Sequence, residues 1–273
     1  GTLLGAWRWS DENNALKTGY DPVARGWPGW IAATGLDAAL LPEVAVPGTK
    51  LGEVGGNRFG LPQDAVVCAG TTDGCASFLA AGASAPGEGV TALGSTLTLK
   101  LASDRPVAAP EYGVYSHRLG DLWLAGGASN SGGRALARYF DPAALARLSA
   151  GIDPAHPSGH DYYPLPGPGE RFPFADPALP PREAPRPADD AAFLHGLLEG
   201  IGRIEALGYA RLAELGAPRL RSVRSLGSGA ANATWIAMRG RLLGVKMLPA
   251  RSGEAAVGAA LLALRGVPVR PAP

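Results

Sequence analysis

The most regular pattern of apolar positions lies toward the end of the chain. Phe193, Leu194, Leu197, Leu198, Ile201, Ile204 and Leu207 recur at helical spacing, which predicts a helix over 191–215. Asp189 or Asp190 is placed to cap it. Leu36 to Leu41 predicts a short helix stopped by Pro42, Ala233 to Arg239 another, and Gly253 to Leu264 a helix of small residues suited to close packing. Strand patterns are shorter. Ala65–Ala69 is an apolar run, and Gly89–Leu101 holds two β-rich runs around Gly94-Ser95, a hairpin signal. Tyr112–His117 and Leu122–Leu124 predict a further strand pair, Arg134–Phe140 a helix, and Arg221–Leu226 a strand. Residues 151–190 are rich in Pro and Gly and show no period. The order of elements predicts a mixed α/β fold.

Glycine turns repeatedly stand between the predicted strands and helices. Gly70–Gly74, Gly126–Gly133 and Gly227–Asn232 each have the strand, glycine turn, helix form. Such a turn aims free backbone N–H groups at a ligand, and the helix dipole favours an anion there. Gly94-Ser95-Thr96 adds a hairpin turn with hydroxyls beside it. Taken singly, each is an ordinary connection. Four together, none with the Walker spacing, point to an unusual nucleotide-binding fold.

Composition narrows the classes. Of 273 residues, 46% are hydrophobic and 18% charged, the profile of a globular chain with a real core. Lys and Arg total 25 against 24 acidic residues, so no basic excess exists to neutralise nucleic-acid phosphates. No apolar run is long enough to cross a membrane, and no basic-then-apolar signal opens the chain. Cys68 and Cys75 make no disulfide framework and read as small buried residues, so a reducing cytoplasm is expected. The sequence opens Gly1-Thr2-Leu3-Leu4 without a methionine, which reads as a portion of a longer protein.

Asp73 follows Gly70-Thr71-Thr72 at a predicted helix start. An acid there stabilises the helix through its dipole by roughly 0.3–1 kcal/mol, which is sufficient reason for it to be present. The alternative is a general base, a carboxylate at the mouth of a sheet that accepts a hydroxyl proton.

Several blocks in one order separate these alternatives. Ala69-Gly70-Thr71-Thr72-Asp73-Gly74-Cys75-Ala76, followed by Gly87-Glu88-Gly89-Val90-Thr91-Ala92-Leu93-Gly94-Ser95-Thr96, resembles the central block of the FGGY carbohydrate kinases. Within that family the chain is most similar to the ribulokinase/xylulokinase-like group of cyanobacteria and plants. Tyr112–Arg118, Gly126–Asn130, Asp161–Leu165, Pro168–Pro173 and Gly229–Trp235 are similar to the same group. The resemblance implies an actin-like ATPase (ribonuclease H-like) fold, truncated at the N-terminus, with ATP and sugar in a cleft between two lobes. It implies that residues 1–85 are a remnant of the sugar-binding lobe and residues 86–273 the nucleotide-binding lobe. It implies Asp73 as catalytic base and Gly94, Ser95 and Thr96 as a phosphate loop. Gly132 and Gly133 are implied at a nucleotide-contact helix start, and Gly229, Ala230 and Asn232 in an adenosine loop. ATP and Mg²⁺ are the implied cofactors and a ketopentose the implied substrate, D-ribulose before D-xylulose.

The chain also departs from the family. Its members open with an Asp-x-Gly-Thr hairpin that binds phosphate and helps hold Mg²⁺, and nothing here matches it. A missing N-terminal segment, in cis or in trans, is therefore an expected partner. A nucleotide-binding module or a degenerate kinase without independent activity is the alternative, and an actin-like ATPase not acting on sugar is a third reading. His156 and His160 are four apart in the Pro/Gly segment, where no Cys or carboxylate set completes a zinc site, so no metal ligand is assigned. No Gly-x-Ser-x-Gly elbow accompanies Ser95, Ser116 or His117, which disfavours a serine hydrolase. Trp7, Trp9, Trp27 and Trp30 are expected in core or interface rather than as a sugar platform.

Overall fold

A computed structural model describes residues 1–55, 59–62 and 64–266. The chain divides into two compact units. Unit 1 comprises Gly1–Gly82, His117–Trp123 and the chain from Glu254 onward; unit 2 comprises Ala83–Ser116 and Leu124–Gly253.

Unit 1 begins with β1 (Trp9–Asp11), which runs parallel to β2 (Glu43–Ala45). Between them lies α1 (Glu12–Ala15), capped by Asp11, whose Oδ1 accepts from the Asn13 and Asn14 amides. The expected helix over 36–41 is a 3-10 turn of Ala38–Leu40 under an Asp37 cap. Next, β3 (Lys50–Glu53) pairs antiparallel with β4 (Val66–Cys68), which leads through Gly70 into α2 (Asp73–Ala81). Strand, glycine turn and helix thus stand where the apolar run and Gly70 predict them.

Unit 2 is built on strands β5 (Glu88–Leu93), β6 (Leu97–Ser103), β7 (Tyr115–Leu119) and β8 (Leu122–Ser129), of which His117–Leu119 and Leu122–Trp123 are counted with unit 1, and on helices α3 (Gly133–Leu136), α4 (Pro142–Ser149), α5 (Asp190–Glu214) and α6 (Ala233–Leu243). Strands β9 (Ser222–Leu226) and β10 (Lys246–Leu248) complete a sheet of order β10-β9-β5-β6-β8-β7. The predicted hairpin is antiparallel, with Leu93 opposite Leu97 across Gly94-Ser95-Thr96. Leu97, Leu99 and Leu101 are buried while Thr98 and Lys100 are half-exposed, the period-2 alternation of a strand packed on one face. β5, β9 and β10 are mutually parallel; α5 leads into β9, and α6 connects β9 to β10.

The core of unit 2 forms where Leu97, Leu99 and Val223 of the sheet meet Phe193, Leu194, Leu197, Ile201 and Ile204 of α5. Asp189, not Asp190, is the α5 cap, accepting from the Ala191 and Ala192 amides. The Pro/Gly segment packs against α5 and contributes buried Tyr162, Leu165 and Phe172. Glycines on the helix make room for it: a Cβ at Gly196 would stand 2.6 Å from the Tyr162 ring and one at Gly200 would stand 2.8 Å from Pro164. Finally α7 (Ala255–Arg265) returns to unit 1 and packs on α2, with Gly258 so close to Ala76 that no Cβ fits between them.

Two further expectations needed correction. Gly126 and Gly127 do not belong to a turn; they lie inside β8, where a Cβ would come within 2.5 Å of Leu99 O or 2.6 Å of the Phe172 ring. The predicted helix over 134–140 ends at Leu136, because Phe140 turns into the core and Asp141 caps α4, accepting from the Ala144 amide at 2.7 Å.

Candidate functional site

In unit 1, Asp73 is the first residue of α2 and is exposed. Its Oδ1 accepts from the Gly74 amide at 2.7 Å, leaving the rest of the carboxylate open to a ligand. The turn before it is anchored. Buried Asn13 donates from Nδ2 to Thr71 Oγ1 at 2.9 Å and to Arg118 O at 2.8 Å, and its Oδ1 accepts from Arg118 N at 3.0 Å. Every polar atom of that amide is therefore used, which fixes Thr71 two residues before Asp73.

In unit 2, two of the predicted glycine turns are joined directly. The Gly133 amide donates to Gly94 O at 2.8 Å, Arg134 N to Ser95 O at 3.1 Å, and Leu97 N to Ser131 O at 2.8 Å. Gly132 has φ +129, a conformation open to glycine, and a Cβ there would come within 2.9 Å of the Thr96 backbone. At Gly133 a Cβ would meet Gly94 O at 2.8 Å. Gly94, Ser95, Thr96, Gly132 and Gly133 thus form one cluster of backbone, at the start of α3.

The third turn, Gly227–Asn232, carries a 3-10 turn over Ser228–Ala231. Asn232 caps α6 by accepting from Trp235 N at 3.0 Å and donates from Nδ2 to Ser149 Oγ at 2.8 Å, so it ties α6 to α4. Beside it opens a cavity of ≈ 470 Å³, lined by Leu93, Gly133, Leu145, Ser149, Gly229 and Trp235 among others. Asn232 is part of this lining, whereas Ala230 lines a neighbouring cavity of ≈ 390 Å³ with Ser225, Ile236 and Met247. The walls of the larger cavity are mostly aliphatic, with the Trp235 ring held by Nε1 donating to Leu198 O at 3.0 Å. Apolar walls that take in Gly133 of the glycine cluster suit a base joined to an anionic chain. Ser131, fully buried at the turn, leaves its Oγ without a partner.

The remaining candidates lie elsewhere. His156 pairs with Asp153 at 2.6 Å, His160 stacks on Tyr162, and His195 sits on α5, where burial lowers its pKa. Among the described residues no group of three or more His, Cys, Asp or Glu is placed to hold a metal ion, and no helix is long and apolar enough to cross a membrane. Trp27 stacks edge-on with Tyr20 and donates to Pro42 O, whereas Trp7 is 81% exposed. Cys68 and Cys75 are free thiols.

Sequence reasoning passed over three contributors. Asn13 stands in the polar run Asp11-Glu12-Asn13-Asn14, whose composition marks a turn or loop and no site. Ser149 lies on α4, which Asp141-Pro142 could have announced as a cap followed by a proline at the first helical position. Glu170 stands in a block matched by resemblance but given no role.

Residues 89–267 match the FGGY family of carbohydrate kinases, C-terminal domain. Among solved structures, the chain is similar to a xylulose kinase from Brucella ovis at 25% identity and TM-score 0.86, over 97% of this chain and 57% of that one. A xylulose kinase from Rhodospirillum rubrum matches at 25% identity and TM-score 0.80, over 97% and 56%. A glycerol kinase from Plasmodium falciparum, solved with ADP, shares the fold at 15% identity and TM-score 0.82, over 96% and 55%. The chain therefore spans little more than half the length of these kinases.

Proposed function

Since the chain belongs to the FGGY family of carbohydrate kinases and carries its C-terminal domain, we propose that the protein containing it transfers the γ-phosphoryl group of ATP to a sugar hydroxyl. The fold is the mixed α/β fold of sugar kinases of the actin-like ATPase class. The observation that carries the proposal is the cluster of Gly94–Thr96 and Gly132–Gly133 backbone beside the Trp235 cavity. In this reading residues 86–273 serve the nucleotide and residues 1–85 are what this chain holds of the sugar-binding lobe.

Each group then has a task. The aliphatic walls and Trp235 receive the adenine and exclude water from it. Gly229, Ala230 and Asn232 follow the adenosine, and the turns at Gly94–Thr96 and Gly132–Gly133 receive the phosphates through backbone N–H groups. Asp73 accepts the proton of the sugar's terminal hydroxyl as its oxygen attacks phosphorus and the bond to ADP breaks. Most of the acceleration in such a transfer comes from positioning and charge stabilisation. Mg²⁺ would neutralise phosphate charge; since such a cation usually binds through substrate phosphates and few carboxylates, its arrival with the nucleotide fits the side chains here.

The substrate proposed is a ketopentose, D-ribulose before D-xylulose. The sequence blocks similar to the cyanobacterial and plant group support it, as does the likeness to two xylulose kinases at 25% identity. A gluconate kinase and a glycerol kinase share the fold, so gluconate and glycerol belong in the assay. ADP release by the protein that carries this chain, with D-ribulose, D-xylulose, gluconate and glycerol, is expected to be fastest with D-ribulose. Asp73→Asn should abolish turnover and spare ATP affinity; retained turnover would remove Asp73 from its role. A second reading, a nucleotide-binding module inactive by itself, rests on the cavity and the glycine cluster lying wholly within unit 2. ATP binding by this chain with no phosphorylated sugar would support it.

A further inference from the structure

Glu170 is an unusual carboxylate. It stands in the Pro/Gly segment, 3% exposed, and the groups hydrogen-bonded to it are hydroxyls and backbone amides. Burying an ionised carboxylate is costly unless its lone pairs are filled. Here neutral donors fill them. Oε2 accepts from Ser129 Oγ at 2.6 Å and Tyr163 OH at 3.0 Å, and Oε1 accepts from Asn130 N at 2.7 Å and Arg171 N at 2.9 Å. The Tyr163 hydroxyl stays protonated, because burial and the nearby Glu170 charge both push its pKa upward.

Two of the four donors, Ser129 and Asn130, open the turn that leads to Gly132 and Gly133. Ser129 Oγ also accepts from Ser131 N at 3.0 Å, and Asn130 Nδ2 donates to Gly169 O at 2.9 Å. The turn is therefore bound at its start to the backbone and side chain of the Gly169-Glu170 segment. Its far end is bound to the Gly94–Thr96 turn through the Gly133 and Arg134 amides. Glu170 itself lies outside the cavity lining. A connected series of short contacts thus runs from one buried charge, through the first turn, to the second.

We propose that Glu170 is a positioning residue for the phosphate end of the nucleotide site: its carboxylate fixes the Ser129–Gly133 turn, and through it Gly94–Thr96, in the arrangement that receives the phosphates of a nucleoside triphosphate. This rests on the nucleotide reading given above. Glutamine at this position keeps the volume but replaces one oxygen with an NH₂ group. The two backbone amides cannot turn away, so the NH₂ would face Ser129 Oγ and Tyr163 OH. The Ser129 hydroxyl, which now donates, would have to become an acceptor there while it still accepts from Ser131 N.

The test compares a non-hydrolysable ATP analogue with adenosine, by calorimetric titration of this chain. Glu170→Gln is expected to weaken the triphosphate by about tenfold, the effect of losing a hydrogen bond to a charged group, and to leave adenosine unchanged. The amides of Leu97, Gly133 and Arg134 should exchange with deuterium faster than in wild type, while those of mid-α5 do not. Glu199→Gln, which alters an equally buried carboxylate away from the turn, should lower stability and leave the ratio of the two affinities alone. Ser129→Ala removes the middle link with little change of volume and should shift the ratio in the same direction; if Glu170→Gln fails to fold, this variant decides. Equal weakening of both ligands, or unchanged exchange at Gly133 and Arg134, would overturn the positioning role while the nucleotide reading stands. A wild-type chain that binds neither ligand would overturn both.

Discussion

Gly229 shows how a single hydrogen atom can be a requirement. A Cβ on it would lie 2.6 Å from the Trp235 ring and 2.8 Å from Leu93 Cβ. The ring cannot swing aside, because its Nε1 is bonded to Leu198 O. Gly229→Ala is therefore expected to cost about 1–3 kcal/mol by overpacking and to weaken ATP binding, since Trp235 forms part of the cavity wall. Thermal unfolding and nucleotide titration of the one variant would measure both. Asp73 is the opposite kind of residue. Its backbone neighbourhood explains why an acid starts α2, yet helix decoration alone would not require Asn13 to spend its whole amide on Thr71 and Arg118. Asn13 and Glu170 were invisible in the sequence for one reason: each acts through partners far away along the chain, 58 residues to Thr71 and 41 to Ser129.

At the scale of elements, local rules were read most successfully where they are strongest. The α5 period, the Gly94-Ser95 hairpin and the Gly70 turn into α2 were legible because spacing, turn chemistry and capping agree there. Gly126 and Gly127 were misread because glycine marks turns and close sheet packing alike, and only the positions of Leu99 and Phe172 distinguish the two. The Pro/Gly segment carried no period because its order comes from α5. One tie between them is Glu199 of α5, which accepts from Ser158 N and Oγ, Arg241 and Arg203. Burial pushes the Glu199 pKa upward, but hydrogen bonds from Ser158 and Arg241, with the Arg203 charge, bring it down to about 2. A carboxylate with a depressed pKa adds stability above its unfolded pKa, and that contribution disappears as pH falls toward the folded value. Glu199→Gln should therefore lose about 2 kcal/mol at pH 7, and its deficit against wild type should shrink between about pH 5 and pH 2. Urea midpoints across that range would show a constant deficit if the argument is wrong.

At the scale of the whole molecule, unit 2 closes around a fully buried ion pair. Arg239 of α6 donates from Nε and Nη2 to Glu205 of α5 at 2.5 and 2.6 Å, and from Nη1 to Ser225 of β9 at 2.7 Å. Glu205 also accepts from Thr91 of β5 at 2.6 Å. Two helices and two strands thus meet at one charge pair. Arg239→Met leaves Glu205 buried without its cation and should cost roughly 3–5 kcal/mol, whereas adding Glu205→Leu should restore most of the loss. Denaturant titration of the single and double variants would decide. Unit 1 has a different dependence: α2, which begins at Asp73, packs on α7 from the far end of the chain. As the polypeptide emerges from a ribosome, everything unit 2 needs is available before α7 has been made. The side of α2 that carries Ala76, against which Gly258 of α7 packs, lacks that partner through the whole interval. The helix that begins at Asp73 thus gains its helical partner late, and until then that side of it is open to aggregation and to chaperones.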